Sequence, residues 1–261
     1  MPTSAVNNRT PQATFVALLL ITFSLLFLPS RSFAASLHLA VASNFISPIK
    51  QLAQDFEQET GQSLTLSFGS SGKLFAQIQN SAPYDIFLSA DVAKPQALVQ
   101  SNNALPNSLV IYAKGHLVFW SVNPISSTSL KDAVLNAKRI AIANPKLAPY
   151  GKAAEESLTS LSVWNDAKKK MVQGENIGQT YQFVYSQNAD AGFVALSQVL
   201  AGKTKGHVID IPSDAYQQIN QAAVILSQSQ NIELAQTFMA FLMRPDIQAK
   251  IVQFGYAAEP H

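Results

Sequence analysis

Four short stretches set hydroxyls, an amide and glycines directly ahead of helix-like patterns. They are Ala42-Ser43-Asn44-Phe45, Phe68-Gly69-Ser70-Ser71-Gly72, Ala148-Pro149-Tyr150-Gly151 and Gln173-Gly174-Glu175-Asn176-Ile177-Gly178. The chemistry they offer is neutral hydrogen-bond donation. Free N–H groups at a helix start and the helix dipole both favour negative charge. Gly69, Gly72, Gly151 and Gly178 let the backbone come close to a guest. Each bond to a charged group contributes about 1.5–3 kcal/mol, so a handful would hold a dianion with no cation beside it. Taken singly, each stretch is equally an ordinary N-cap or loop. The combination, with the export signal and element pattern below, points to a small anion.

Other chemistries find less support. The chain has no cysteine, which excludes a disulfide scaffold, a thiolate zinc site and a cysteine nucleophile. Ser70 and Ser71 lie outside any G-x-S-x-G pattern, and His38, His116, His207 and His261 cannot be assigned to the ligand-bearing loops. Gly72-Lys73 lacks the rest of a phosphate loop, because position 67 is Ser and position 74 is Leu. No Glu/His pair has metal-ligand spacing. Lys168-Lys169-Lys170 is the only basic run; it reads as a solvated helix face, too little for nucleic-acid binding.

The elements that must position these loops alternate in type. Leu37–Ala42, Leu64–Phe68, Asp85–Ser89, Leu109–Ala113, Leu117–Ser121, Ile140–Ala143, Phe193–Leu196, Val208–Ile211 and Ala222–Leu226 read as strands. Ile46, Ile49, Leu52, Ala53 and Phe56 share one helical face that Gly61 stops. Further helices follow with Leu74, Phe75 and Ile78, over Pro95–Gln100 and Lys152–Ser160, and with Tyr181 and Val184. Two more close the chain, one carrying Ile232 to Leu242 and one starting at Pro245. Lys114-Gly115 reads as a turn between two strands, and 123–129 as polar linker. Alternation of this kind predicts mostly parallel sheet with helices on both faces. In such sheets ligands bind beyond the carboxyl ends of strands, where the four stretches fall.

The chain has 261 residues, 48% hydrophobic and 13% charged, with 18 Lys+Arg against 16 Asp+Glu. That composition argues against disorder. Residues 1–34 hold Arg9, Arg31 and no acid, then an apolar run from Phe15 to Leu28, Pro29 and small residues at Ser32, Ala34 and Ala35. This is the pattern of a secretory signal peptide, cleaved after Ala34 or Ala35. The apolar run is short for a membrane span of about 20 residues. Taking the two arginines from 18 leaves 16 Lys+Arg against 16 Asp+Glu, so the mature chain balances. A lipoprotein would need a cysteine, so a periplasmic chain without a lipid anchor is expected.

The motifs taken together resemble a known family. Ala40 to Phe45, Ser67 to Leu74, Tyr84 to Asp91, Asn144-Pro145 through Ala153, and Gly192 to Ser197 look like the periplasmic molybdate-binding proteins of ATP-binding-cassette importers. The likeness spans nearly all of 36–258, in the right order. It implies a two-lobe periplasmic-binding-protein-like (type II) α/β fold, closing over one oxyanion. Lobe one would comprise 36–112 and 225–261, and lobe two 113–224. Ser43 and Ser71 match the two serine ligands of lobe one, and Asn44 matches an additional donor. Tyr150 and Ile177 match positions giving mainly backbone N–H groups; the metal would be reached only through the molybdate oxygens. Some members add a Tyr where this chain has Ala195, which makes Asn44 the substitute donor. The resemblance implies a monomer, no enzyme activity, no cofactor beside molybdate or tungstate, and a membrane permease as partner. Sulfate, phosphate or iron(III) carriers and a periplasmic transferase or hydrolase on the same fold are the competing readings. An iron(III) site would want clustered Tyr or carboxylate ligands, and no adjacent Tyr pair exists.

Overall fold

The computed structural model describes residues 1–3 and 36–257. The expected signal peptide and its cleavage site therefore lie outside the described residues. By contact the chain divides into Met1–Ala34 and Ala35–His261, and the fold below is that of the second unit.

Ten strands form two five-stranded sheets. The first holds β1 (Ser36–Ala42), β2 (Ser63–Gly69), β3 (Ile86–Ser89), β4 (Val110–Gly115) and β10 (Ile219–Ile225), in the order β2-β1-β3-β10-β4. The second holds β5 (Leu117–Ser121), β6 (Ile140–Ala143), β7 (Met171–Gly174), β8 (Ala191–Ala195) and β9 (His207–Asp210), in the order β7-β6-β8-β5-β9. The sheets share one plan. β1 pairs parallel with β2 and β3, while β10 runs antiparallel to β3 and β4. β6 pairs parallel with β7 and β8, while β5 runs antiparallel to β8 and β9. Each sheet thus has a single reversed strand, fourth in its order, and the rest point one way. The expected mostly parallel, two-lobe architecture is what the chain adopts.

Helices cover both faces because the strands alternate between two apolar sets. In β1, Leu37, Leu39 and Val41 pack on one side against Ile49, Leu52 and Phe56 of α1 (Ile46–Thr60) and Phe238, Phe241 and Leu242 of α9 (Ile232–Leu242). Ala40 faces the other way, onto Leu74 and Ile78 of α2 (Ser71–Gln79) and Leu98 of α3 (Ala93–Gln100). In the second sheet Leu117, Phe119, Ile140, Ile142 and Phe193 share one core, and Val118, Trp120, Ala141 and Val194 the other. Buried residues at 49, 52 and 56 repeat at helical spacing, and Gly61, with φ of 69°, ends α1 by giving its N–H to the Glu57 carbonyl. Phe56 meets the Phe238 and Phe241 rings edge-on, centroids 5.4 and 5.3 Å apart, which fixes α9 over the sheet.

Several elements differ from the sequence reading. Lys114-Gly115 is the end of β4, not a turn between paired strands: β4 and β5 belong to different sheets. The chain crosses here, and Gly115 permits it, since a Cβ there would sit 2.2 Å from the Tyr150 hydroxyl. The first sheet keeps the chain to Gly115 and takes it up again at Ile219, beyond 112 and before 225. Leu196 begins α8 (Leu196–Ala201) instead of ending a strand. Three short elements carry too little periodicity to read: α4 (Leu130–Asn136), α6 (Trp164–Lys168) and β7. The lysine run is no helix face. Lys168 ends α6, Lys169 pairs with Asp166, and Lys170 Nζ caps α4 by donating to the Leu135 and Ala137 carbonyls, both at 2.6 Å.

Candidate functional site

The strand ends carry the four expected stretches to one place. Ser43 and Asn44 sit in a three-residue 3-10 turn between β1 and α1, and Ser71 opens α2 after β2. Tyr150 lies in the first turn of α5 (Pro149–Ser160) after β6, and Ile177 opens α7 (Ile177–Tyr185) after β7. All five line one narrow cleft between the sheets. Helix starts therefore converge from both lobes, bringing first-turn N–H groups that no helix can satisfy internally. The caps are held by their own side chains. Ser70 Oγ accepts from Lys73 N at 3.3 Å, and Asn176 Oδ1 accepts from Gln179 N at 3.0 Å.

The two serines are not equivalent. Ser71 Oγ accepts the Ala90 N–H at 2.9 Å, so its own proton is left to donate. Ser43 Oγ instead donates to the Gly69 carbonyl at 2.9 Å. The lobes also meet directly over the cleft. Gly72 N–H donates to the Leu147 carbonyl at 2.8 Å, and Lys73 pairs with Glu175 at 3.0 Å. That ion pair is about half exposed, so it adds little stability. The floor carries no formal charge.

Beneath the cleft lies a polar cluster that the sequence reading missed. Gln221 of β10 is fully buried. Its Oε1 accepts from Asn44 Nδ2 at 2.7 Å and from the Tyr112 hydroxyl at 3.0 Å, and its Nε2 donates to the Tyr150 hydroxyl at 3.3 Å. Tyr256 donates to the Asn44 carbonyl at 2.8 Å and lies 3.0 Å from Ser197 Oγ, which reaches the same carbonyl at 3.1 Å. Burial pushes the Tyr112, Tyr150 and Tyr256 hydroxyls above their ordinary range, so all three stay neutral. The expected extra donor, Asn44, therefore has both N–H groups turned onto the protein, to Gln221 and Tyr256. The one sequence signal for this cluster is a Gln at the head of the apolar run Ala222–Leu226.

The remaining candidates lie elsewhere. His38 stands between the Pro83 carbonyl and Ser67 Oγ, on β1. Ala195 ends β8 and gives its N–H to Gln198 Oε1. A wider groove beside the site is lined by Lys94, Lys146 and Lys152, but Lys94 pairs with Asp91 and Lys152 with Glu156.

Two reversed-strand sheets with helix starts gathered between them define a bacterial solute-binding fold. The chain belongs to the bacterial extracellular solute-binding protein family, whose model matches residues 37–257. Within it, the chain is 42% identical over 231 residues to the molybdate-binding protein ModA of Azotobacter vinelandii, covering 87% of this chain and 91% of that one. It is 40% identical over 222 residues to ModA of Rhodobacter capsulatus, covering 84% and 87%. A solved structure of the Azotobacter vinelandii periplasmic molybdate-binding protein superposes with a TM-score of 0.81 at 37% identity, covering 86% of this chain and 100% of that one.

Proposed function

We propose that this protein binds molybdate, and tungstate alike, and delivers it to the membrane permease of an ATP-binding-cassette importer. It acts as a monomeric carrier in the periplasm, with no catalytic step and no cofactor beside its cargo. The observation that carries the reading is the cleft: helix starts from both lobes around a floor with no charged side chain. Relatives named as molybdate-binding proteins at 42% and 40% identity support the choice of anion.

On this reading Ser71 gives a hydroxyl bond and Ser43 a second when its proton leaves the Gly69 carbonyl. Tyr150 and Ile177 give backbone N–H groups, and Asn44 a further donor. Oriented dipoles fixed before the ligand arrives lose little on ordering, and their spacing selects by oxyanion size. The lobes, 36–112 with 225–261 and 113–224 in outline, would close by hinging at the two crossings. Calorimetric titration with molybdate, tungstate, sulfate and phosphate tests this. Tight binding of the first two and none of the others is expected; no molybdate binding, or turnover of a substrate, would overturn it.

A further inference from the structure

Asn44 and Gln221 form a buried carboxamide pair whose hydrogen bonds leave two loose ends. Asn44 Nδ2 donates to Gln221 Oε1 and, at 3.1 Å, to the Tyr256 hydroxyl, while Asn44 Oδ1 is buried with no partner. Gln221 Nε2 donates to Tyr150, and among the described residues no group accepts the Tyr150 proton. The unpartnered oxygen belongs to a residue lining the cleft. A lone pair there would repel an oxyanion.

The two ends of a carboxamide have nearly the same shape, so turning both amides over keeps every heavy atom in place and reverses each donor and acceptor. In the reversed wiring the Tyr150 hydroxyl donates to Gln221 Oε1. Gln221 Nε2 donates to Asn44 Oδ1 and to the Tyr112 hydroxyl, whose proton goes to the Ser89 carbonyl, 3.5 Å away. Tyr256 donates to Asn44 Oδ1, while Ser197 keeps the Asn44 carbonyl. Every hydrogen of the cluster then has an acceptor except those on Asn44 Nδ2, where buried networks leave a place for a partner. Asn44 Nδ2 takes the unpartnered place as a donor.

We infer that the reversed wiring is the ligand-bound one, and that Gln221 is the positioning residue that sets which end of Asn44 meets the anion. Tyr150 comes from lobe two and Gln221 from the first sheet. The donor is therefore set only when the lobes meet. This rests on the site being an oxyanion site, as proposed above.

The test is a double-mutant cycle read by calorimetry with sodium molybdate, on the wild type, Asn44→Ala, Gln221→Met and the double variant. Gln221→Met is expected to weaken binding about tenfold, as for one lost bond to a charged group. In the Asn44→Ala background it is expected to add nothing, because it acts through Asn44. Equal losses in both backgrounds, or wild-type affinity in Gln221→Met, would overturn the inference. Should Gln221→Met fail to fold, side-chain amide NMR of the wild type decides: both the Asn44 and the Gln221 NH₂ signals are expected to shift at molybdate saturation. An unmoved Gln221 pair would overturn the inference. A wild type that does not bind molybdate would instead overturn the site reading itself.

Discussion

At the scale of single residues, hydrogen-bond direction separates groups that sequence treats alike. Ser43 and Ser71 are both buried hydroxyls in the cleft. Only Ser71 has its oxygen occupied by an N–H and its proton free, whereas Ser43 already donates to a carbonyl. Ser71→Ala is therefore expected to weaken molybdate binding by one to two powers of ten, about 1.5–3 kcal/mol for a lost bond to a charged group. Ser43→Ala should cost less, since its bond to the anion must first give up another. Equal affinities of Ser71→Ala and wild type by calorimetry would contradict this assignment. The buried tyrosines set a pH limit. Their ordinary value is 10.0, and burial raises Tyr112, Tyr150 and Tyr256 above it. Below pH 10 both folded and unfolded chains keep these protons. Above it the unfolded chain releases them first, so folding stability falls as pH rises, about 1.4 kcal/mol per unit for each such group. Denaturant midpoints at pH 8, 9 and 11 should stay level to 9 and then drop. A midpoint unchanged at 11 would contradict the burial.

At the scale of elements, the loops decide whether the lobes can meet. Gly72 gives its N–H to Leu147, and a Cβ there would lie 2.9 Å from the Leu147 carbonyl oxygen and 3.0 Å from its Cα. Both atoms are backbone and cannot swing aside. Gly72→Ala is expected to hold the two loops apart and weaken molybdate binding about tenfold, or about 1.4 kcal/mol, with little change in the melting temperature of the ligand-free protein. Unchanged affinity in that variant would show that the loops need not touch. The elements themselves were partly legible. α1, with apolar residues at 49, 52 and 56 and Gly61 as stop, was clear because burial at helical spacing and a left-handed cap write themselves into sequence. α6 spans 164–168 and β7 171–174, too few residues for any period to accumulate. β4 ran past its expected end because nothing local distinguishes a strand that crosses between sheets from one that turns back.

At the scale of the whole molecule, the site was legible in parts and its wiring was not. Serines, asparagine and glycines ahead of helices could be read because strand ends in an α/β chain are where ligands bind. Asn44 bonds residues 197, 221 and 256, and Gln221 in turn bonds 112 and 150, a cluster brought together only by the two crossings and the closing helices. No spacing rule reaches across such separations. The charge balance gains its meaning at the same scale. A chain with 16 basic and 16 acidic residues after position 34 presents a cleft lined by uncharged residues, and Lys73, two residues along from Ser71, is paired with Glu175. The account's central claim is that an oxyanion sits among the helix starts, held by neutral donors from both lobes. A crystal structure of the tungstate complex, with tungsten located by anomalous scattering, tests it most directly. The metal is expected between Ser43, Ser71, Tyr150 and Ile177, its oxygens taking the Ser71 hydroxyl and the Tyr150 and Ile177 N–H groups. Tungsten among Lys94, Lys146 and Lys152, or absent from the cleft at saturating tungstate, would contradict it.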